Sequence, residues 1–151
     1  MKTLILIMSF FIVGCAEKNY GVKTTEYNIY LAQFNEDLKK LGATPIDFSQ
    51  TEIYNDNLGK YLGLCIGHPV KKSSGRAIIR IGNDIKEYPS FRKAALIYHE
   101  IGHCFLGLEH SKNYEDIMHV NYPDLARSSQ IDSEFNRLAL VKQMLDAANY
   151  R

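Results

Sequence analysis

The sequence predicts an α+β domain, and two observations carry that prediction. Short strand-like runs at Thr51–Tyr54, Lys60–Ile66 and Arg76–Ile81 are grouped in the middle of the chain. Helical periodicities flank them, with apolar residues three and four apart over Glu26–Leu41, about Phe91–Leu106 and about Asp132–Ala147. The chain has 151 residues, 46% of them apolar and 23% charged, enough for one domain with a single core. A formal net charge of +1 gives no reason to expect a nucleic-acid partner or electrostatic membrane binding. A monomer is expected. The sequence contains no internal repeat and no low-complexity tract.

The first residues stand apart from that domain. Met1-Lys2-Thr3 is a short basic segment, and Leu4–Val13 is an apolar run with Ser9 as its one polar residue. The run is too short to cross a bilayer as a helix but has the length of a signal-peptide core. It ends in Ile12-Val13-Gly14-Cys15, which resembles the lipobox of bacterial lipoproteins. That resemblance implies a signal peptide over residues 1–14, a lipid on Cys15, a polar tether over residues 15–23 and a domain over residues 24–151. The protein would then be held at the cell envelope by its lipid, facing periplasm or exterior. An ordinary secretory signal is the alternative, and either one exports the chain.

In the first helix, Tyr27, Tyr30, Leu31, Phe34, Leu38 and Leu41 form an apolar stripe, and Gly42 ends it. Ala43–Gln50, with Pro45, reads as a connection. Thr51–Tyr54 is a short strand stopped by Asn55-Asp56-Asn57-Leu58-Gly59. Lys60–Ile66 and Arg76–Ile81 are strands separated by a loop in which His68 reads as a solvated residue. The charges spaced along Arg76–Ile81 suggest an edge strand. Ser90 is placed to cap the long helix, whose buried side comprises Ala94, Ala95, Tyr98, Ile101, Cys104 and Phe105. Asn121–Ser129 reads as irregular. Asp132 or Ser133 caps the last helix, with Phe135, Leu138, Leu140, Val141 and Leu145 as its apolar positions.

The chemistry is concentrated in His99-Glu100-Ile101-Gly102-His103, an H-E-x-x-H motif. Helical residues four apart share a face, so His99 and His103 can direct their imidazoles at one metal ion. Glu100 lies one step round the helix, within reach of a water on the metal. Gly107 can take a positive φ and let the chain double back, after which His110 supplies a third nitrogen. Three protein ligands with a fourth position open suit catalytic zinc. Once exported, the chain has Cys65 and Cys104 left beside Cys15, in a compartment that permits disulfides. One Cys65–Cys104 bridge is the simplest arrangement, and two buried thiols are the alternative. Cys104 neighbours His103 and points away from the face carrying His99, which disfavours it as a ligand.

The H-E-x-x-H, the glycine, the third histidine and the downstream Met118 together resemble the metzincin zinc peptidases. The run of His110, Ser111, Asp116-Ile117-Met118 and Tyr122 is most similar to the matrixin branch. The close resemblance covers about thirty residues, Ala95 to Pro123. It implies a short mixed sheet, an active-site helix, a Met-turn at Met118 beneath the three histidines, and a specificity pocket near Tyr122 and Pro123. The metzincin pattern has two residues between its second histidine and the glycine; here there are three, Cys104, Phe105 and Leu106. Strict spacing would put Leu106 at the glycine position and Glu109 at the ligand. Keeping the glycine-to-histidine and histidine-to-methionine intervals favours His110, with the extra residue absorbed in the helix or as a π-type bulge. The chain also resembles small bacterial lipoproteins with H-E-x-G-H-C and an earlier cysteine, a resemblance that supports the Cys65–Cys104 pairing.

The function expected from this reading is zinc-dependent endopeptidase activity on a peptide or protein substrate. Zinc would sit on His99, His103 and His110, and Glu100 would act as general base. The peptide would lie along an edge strand, for which Arg76–Ile81 is the candidate. Three alternatives compete. In a gluzincin arrangement Glu134 would replace the third histidine. A zinc-binding surface lipoprotein on a peptidase fold would bind without catalysis, and a chance H-E-x-x-H would do neither. His119 reads as a pocket or surface residue rather than a ligand.

Overall fold

In the computed structural model, residues 20–66, 77–121 and 126–150 are described. They form a small α+β domain with a four-stranded mixed sheet and three α-helices. The elements run β1 (Val22–Thr24), α1 (Asn28–Lys40), β2 (Thr51–Asp56), β3 (Gly63–Ile66), β4 (Ala77–Gly82), α2 (Ser90–Leu106) and α3 (Glu134–Ala148). Single 3-10 segments precede α2, at Asn83–Glu87, and α3, at Ala126–Asp132.

The sheet order is β1-β2-β4-β3. β2 and β4 are parallel, and the outer strands are antiparallel to their neighbours. This order corrects three expectations. Arg76–Ile81 is not an edge: β4 lies between β2 and β3, and the edges are β1 and β3. The charge is tolerated in a central strand because Arg80 Nε donates to Asp56 Oδ2 on neighbouring β2 at 2.7 Å. The guanidinium also lies over the Tyr20 ring. β2 continues through Asn55 and Asp56, since both pair in the ladder with β4. Val22 and Lys23, read as tether, pair with Asn55 and Tyr54 as part of β1.

The core lies between one sheet face and the helices. Ile53, Ile79 and Ile81 meet the buried side of α2, where every residue from Ala94 to Gly102 is buried. Phe34 of α1 meets Tyr98 of α2 edge-to-face at 4.9 Å. α1 follows its apolar stripe, and Gly42 turns the chain at φ +72° just past its end. Ser90 is the first residue of α2 rather than its cap. Pro89 holds that place in an extended conformation, and its carbonyl accepts from the Arg92 and Lys93 amides.

α3 buries Leu140, Val141 and Leu145 as expected and departs from expectation at Phe135. Phe135 is 82% exposed, and the buried positions are Arg137, Leu140, Val141, Met144 and Leu145. Its rotation is set by Arg137, whose Nε and Nη2 donate to Asp37 Oδ2 and Oδ1 at 2.7 and 3.0 Å. Phe135, two residues earlier and so about 200° away round the helix, is left facing outward.

Candidate metal centre

α2 brings His99, Glu100 and His103 together because the helix places residues four apart on one face. The His99 Nδ1–H donates to the Ile117 carbonyl at 2.7 Å, and the His103 Nδ1–H to the Leu108 carbonyl at 2.6 Å. A carbonyl can only accept, so both rings carry their proton on Nδ1 and present Nε2 as a bare lone pair. The Nε2 atoms of His99 and His103 face each other at 3.1 Å, and His110 Nε2 lies 3.2 Å from that of His99. No proton stands between the first pair, so the arrangement is repulsive unless a cation sits among the nitrogens. The three histidines could hold a metal ion.

Burial favours the ligand form of the two helical rings. It is the main cause of the drop in His99 from 6.5 to about 4, with the neighbouring imidazoles adding to it. His103 is lowered in the same sense, again chiefly by burial.

The return of the chain to His110 depends on how α2 ends. Gly107 adopts φ +66°, a left-handed conformation suited to glycine. Its N–H and that of Leu108 both bond to the Gly102 carbonyl, five and six residues back. The last turn is thus wider than an α-helical one, which accommodates the third residue between His103 and Gly107. Beyond it, the Ser111 N–H donates to the Met118 carbonyl at 3.0 Å. Asp116 closes the turn below, its Oδ1 accepting from the Met118 N–H at 2.8 Å. Met118 is buried against Gly102, where an added Cβ would lie 2.3 Å from its sulfur. A glycine between the two helical histidines therefore makes room for the methionine.

Glu100 faces a cleft of about 630 Å³ that also exposes the three histidines. Tyr61, Leu62, Leu64, Leu96 and Val120 give this cleft apolar walls. Glu100 is 3% exposed; its carboxylate accepts from the Cys65 N–H, while its Oε2 has no partner. Burial raises its pKa from 4.5 to about 8. A cation on the histidines would draw it back toward the carboxylate range. Gly63 of β3 lies directly over it, and a Cβ there would be 2.3 Å from Oε1. A disulfide joins Cys65 of β3 to Cys104 of α2, with Cα atoms 5.6 Å apart.

No family model, curated protein or solved structure matches this chain. The site is therefore read from its own geometry.

Glu109 is exposed and outside the cluster, so the cluster contains His110. Glu134 is ion-paired with Lys40 at 2.8 Å, where α1 ends and α3 begins. His119 is buried, stacks on Tyr114 at 4.3 Å and accepts from the Asn121 N–H through Nδ1. Tyr122, Pro123, His68 and residues 1–19, which include Cys15 and the expected signal peptide, lie outside the described residues. Among the described residues, no helix is long and apolar enough to cross a membrane. Sequence reasoning missed Gly63. Its signal was a glycine inside a strand-like run, a common mark of close approach by another group.

Proposed function

We propose that the protein is a zinc-dependent endopeptidase of metzincin-like design. One observation carries the reading: three imidazole nitrogens converge beside a buried carboxylate whose Oε2 has no partner, at the floor of an open cleft. Zinc fits the donor set. Ligands about 2.0–2.1 Å from a tetrahedral ion stand about 3.3 Å apart, close to the 3.1 and 3.2 Å between these nitrogens. A neutral all-nitrogen set suits zinc better than magnesium or calcium, which prefer oxygen. When bound, zinc supplies Lewis acidity that polarises a peptide carbonyl and brings a water's pKa from 15.7 toward about 7.

The chain's own groups do the rest. Glu100 Oε2 takes a proton from the attacking water and returns it to the leaving amine, a transfer its burial at the cleft floor permits. The Ile117 and Leu108 carbonyls hold the ligand rings in one tautomer and orientation. A peptide lies extended along β3, whose outer edge borders the cleft and has backbone groups to pair. The apolar walls favour apolar side chains around the scissile bond. By resemblance, lipid on Cys15 anchors the enzyme to the envelope after export.

The test is cleavage of a mixed peptide library by the zinc-loaded protein, beside Glu100→Ala with its zinc content verified. Cuts made by the wild type and absent from the variant are expected. Equal zinc in both and no cuts from either would sink the peptidase reading and leave a non-catalytic zinc-binding lipoprotein.

A further inference from the structure

We infer that the Cys65–Cys104 disulfide and Gly63 are positioning elements for Glu100, fixing the edge strand at the distance from α2 at which it holds the carboxylate in the cleft. This rests on the peptidase reading for its catalytic meaning. Glu100 has no side-chain partner from its own helix. Its carboxylate is held from across the cleft wall by the Cys65 N–H, with Oε2 left free. The residue that donates this hydrogen bond is also the one tied covalently to α2, at Cys104, four residues beyond Glu100 and so on the same face of the helix. Gly63 sets the approach from the same strand. A side chain there would strike Oε1 at 2.3 Å, the carboxyl carbon at 2.9 Å and Leu96 Cδ1 at 2.9 Å.

β3 is only four residues long and, among the described residues, pairs on one side only, with β4. Short edge strands have few hydrogen bonds to hold them. The bridge removes that freedom at the position where the base is bound. A peptide paired along β3 and the carboxylate beneath it therefore share one reference point. A misplacement of about 1 Å in such a group can cost about 100-fold in rate.

The test uses the zinc-loaded, nitrogen-15-labelled protein with Cys104→Ala, Gly63→Ala and Glu100→Ala variants. It reads zinc content, the Cys65 amide proton shift and exchange rate, and kcat and KM on the peptide cut fastest. Glu100→Ala marks the amide shift of the broken hydrogen bond. In Cys104→Ala and in Gly63→Ala the amide is expected to move toward that value and exchange faster, with one zinc retained. We expect kcat to fall between about ten- and a hundredfold, with KM within about threefold of the wild type. An unmoved Cys65 amide in both variants would overturn the inference, as would a moved amide with unchanged kcat. If Cys104→Ala fails to fold, Gly63→Ala, which keeps the bridge, decides alone. If the wild type cuts nothing, the peptidase reading falls, and the amide measurement still decides whether bridge and glycine place the carboxylate.

Discussion

His99 is suited to ligate a metal because its proton is withheld. It is 4% exposed, and its folded pKa of about 4 lies below its ordinary 6.5. An unfolded chain binds that proton below 6.5, and the folded one does not until about 4. The His99 contribution to the stability of the metal-free protein is therefore fully present above pH 6.5 and falls as pH drops through this window, by about 3 kcal/mol. Glu100, raised to about 8, acts in the opposite sense over the same range, so urea titrations of metal-free Glu100→Gln at pH 7 and pH 4.5 check this, and equal midpoints in that variant would contradict it. His99, His103 and Glu100 were legible in the sequence because spacing on a helix is a local relation, and His110 because its intervals to Gly107 and Met118 are short. The groups that set their state were not. The Leu108 and Ile117 carbonyls and the Cys65 amide are backbone atoms that any residue carries, and only the fold selects them.

At the scale of elements, the three helices are joined by a buried polar group the sequence did not advertise. Asp37 of α1 accepts from Tyr98 of α2 at 2.8 Å as well as from Arg137 of α3. The Arg137 side chain is 8% exposed and that of Asp37 1%. Arg137→Ala would leave the carboxylate buried without its cation, and a loss of about 3–5 kcal/mol is expected. Thermal denaturation measures it, and Asp37→Leu with Arg137→Leu should recover much of the loss. A loss below about 1 kcal/mol would show the pair to be dispensable. Periodicity located α3 and its buried Leu140, Val141 and Leu145 but misplaced Phe135, because counting apolar residues favours Phe135 and takes Arg137 for a surface charge. The same habit made an edge of β4, whose Arg80 is neutralised by a neighbouring strand. Pairing between distant segments is invisible to a local pattern.

For the whole molecule, sheet and helices form one core that does not need the metal to exist. Ile53, Ile79, Tyr98, Ile101 and Val141 are buried at 0–1% exposure, and none of them lines the cleft. Chelation is therefore expected to lower Tm without unfolding the protein at 25 °C. At free metal 1,000 times Kd the metal contributes about 4 kcal/mol, or roughly 10 °C for a domain of this size. Circular dichroism with and without chelator reads both quantities, and collapse of the helical signal on chelation would show that the site organises the fold. The bridge has one more effect at this scale. It spans 39 residues, so a backbone cut anywhere between Cys65 and Cys104 leaves two polypeptides still covalently joined. A nicked molecule would run as one band on a non-reducing gel and as two after reduction. In surroundings rich in proteolytic activity, such a molecule keeps the edge strand and the helix carrying His99 and His103 together as a single, serviceable unit.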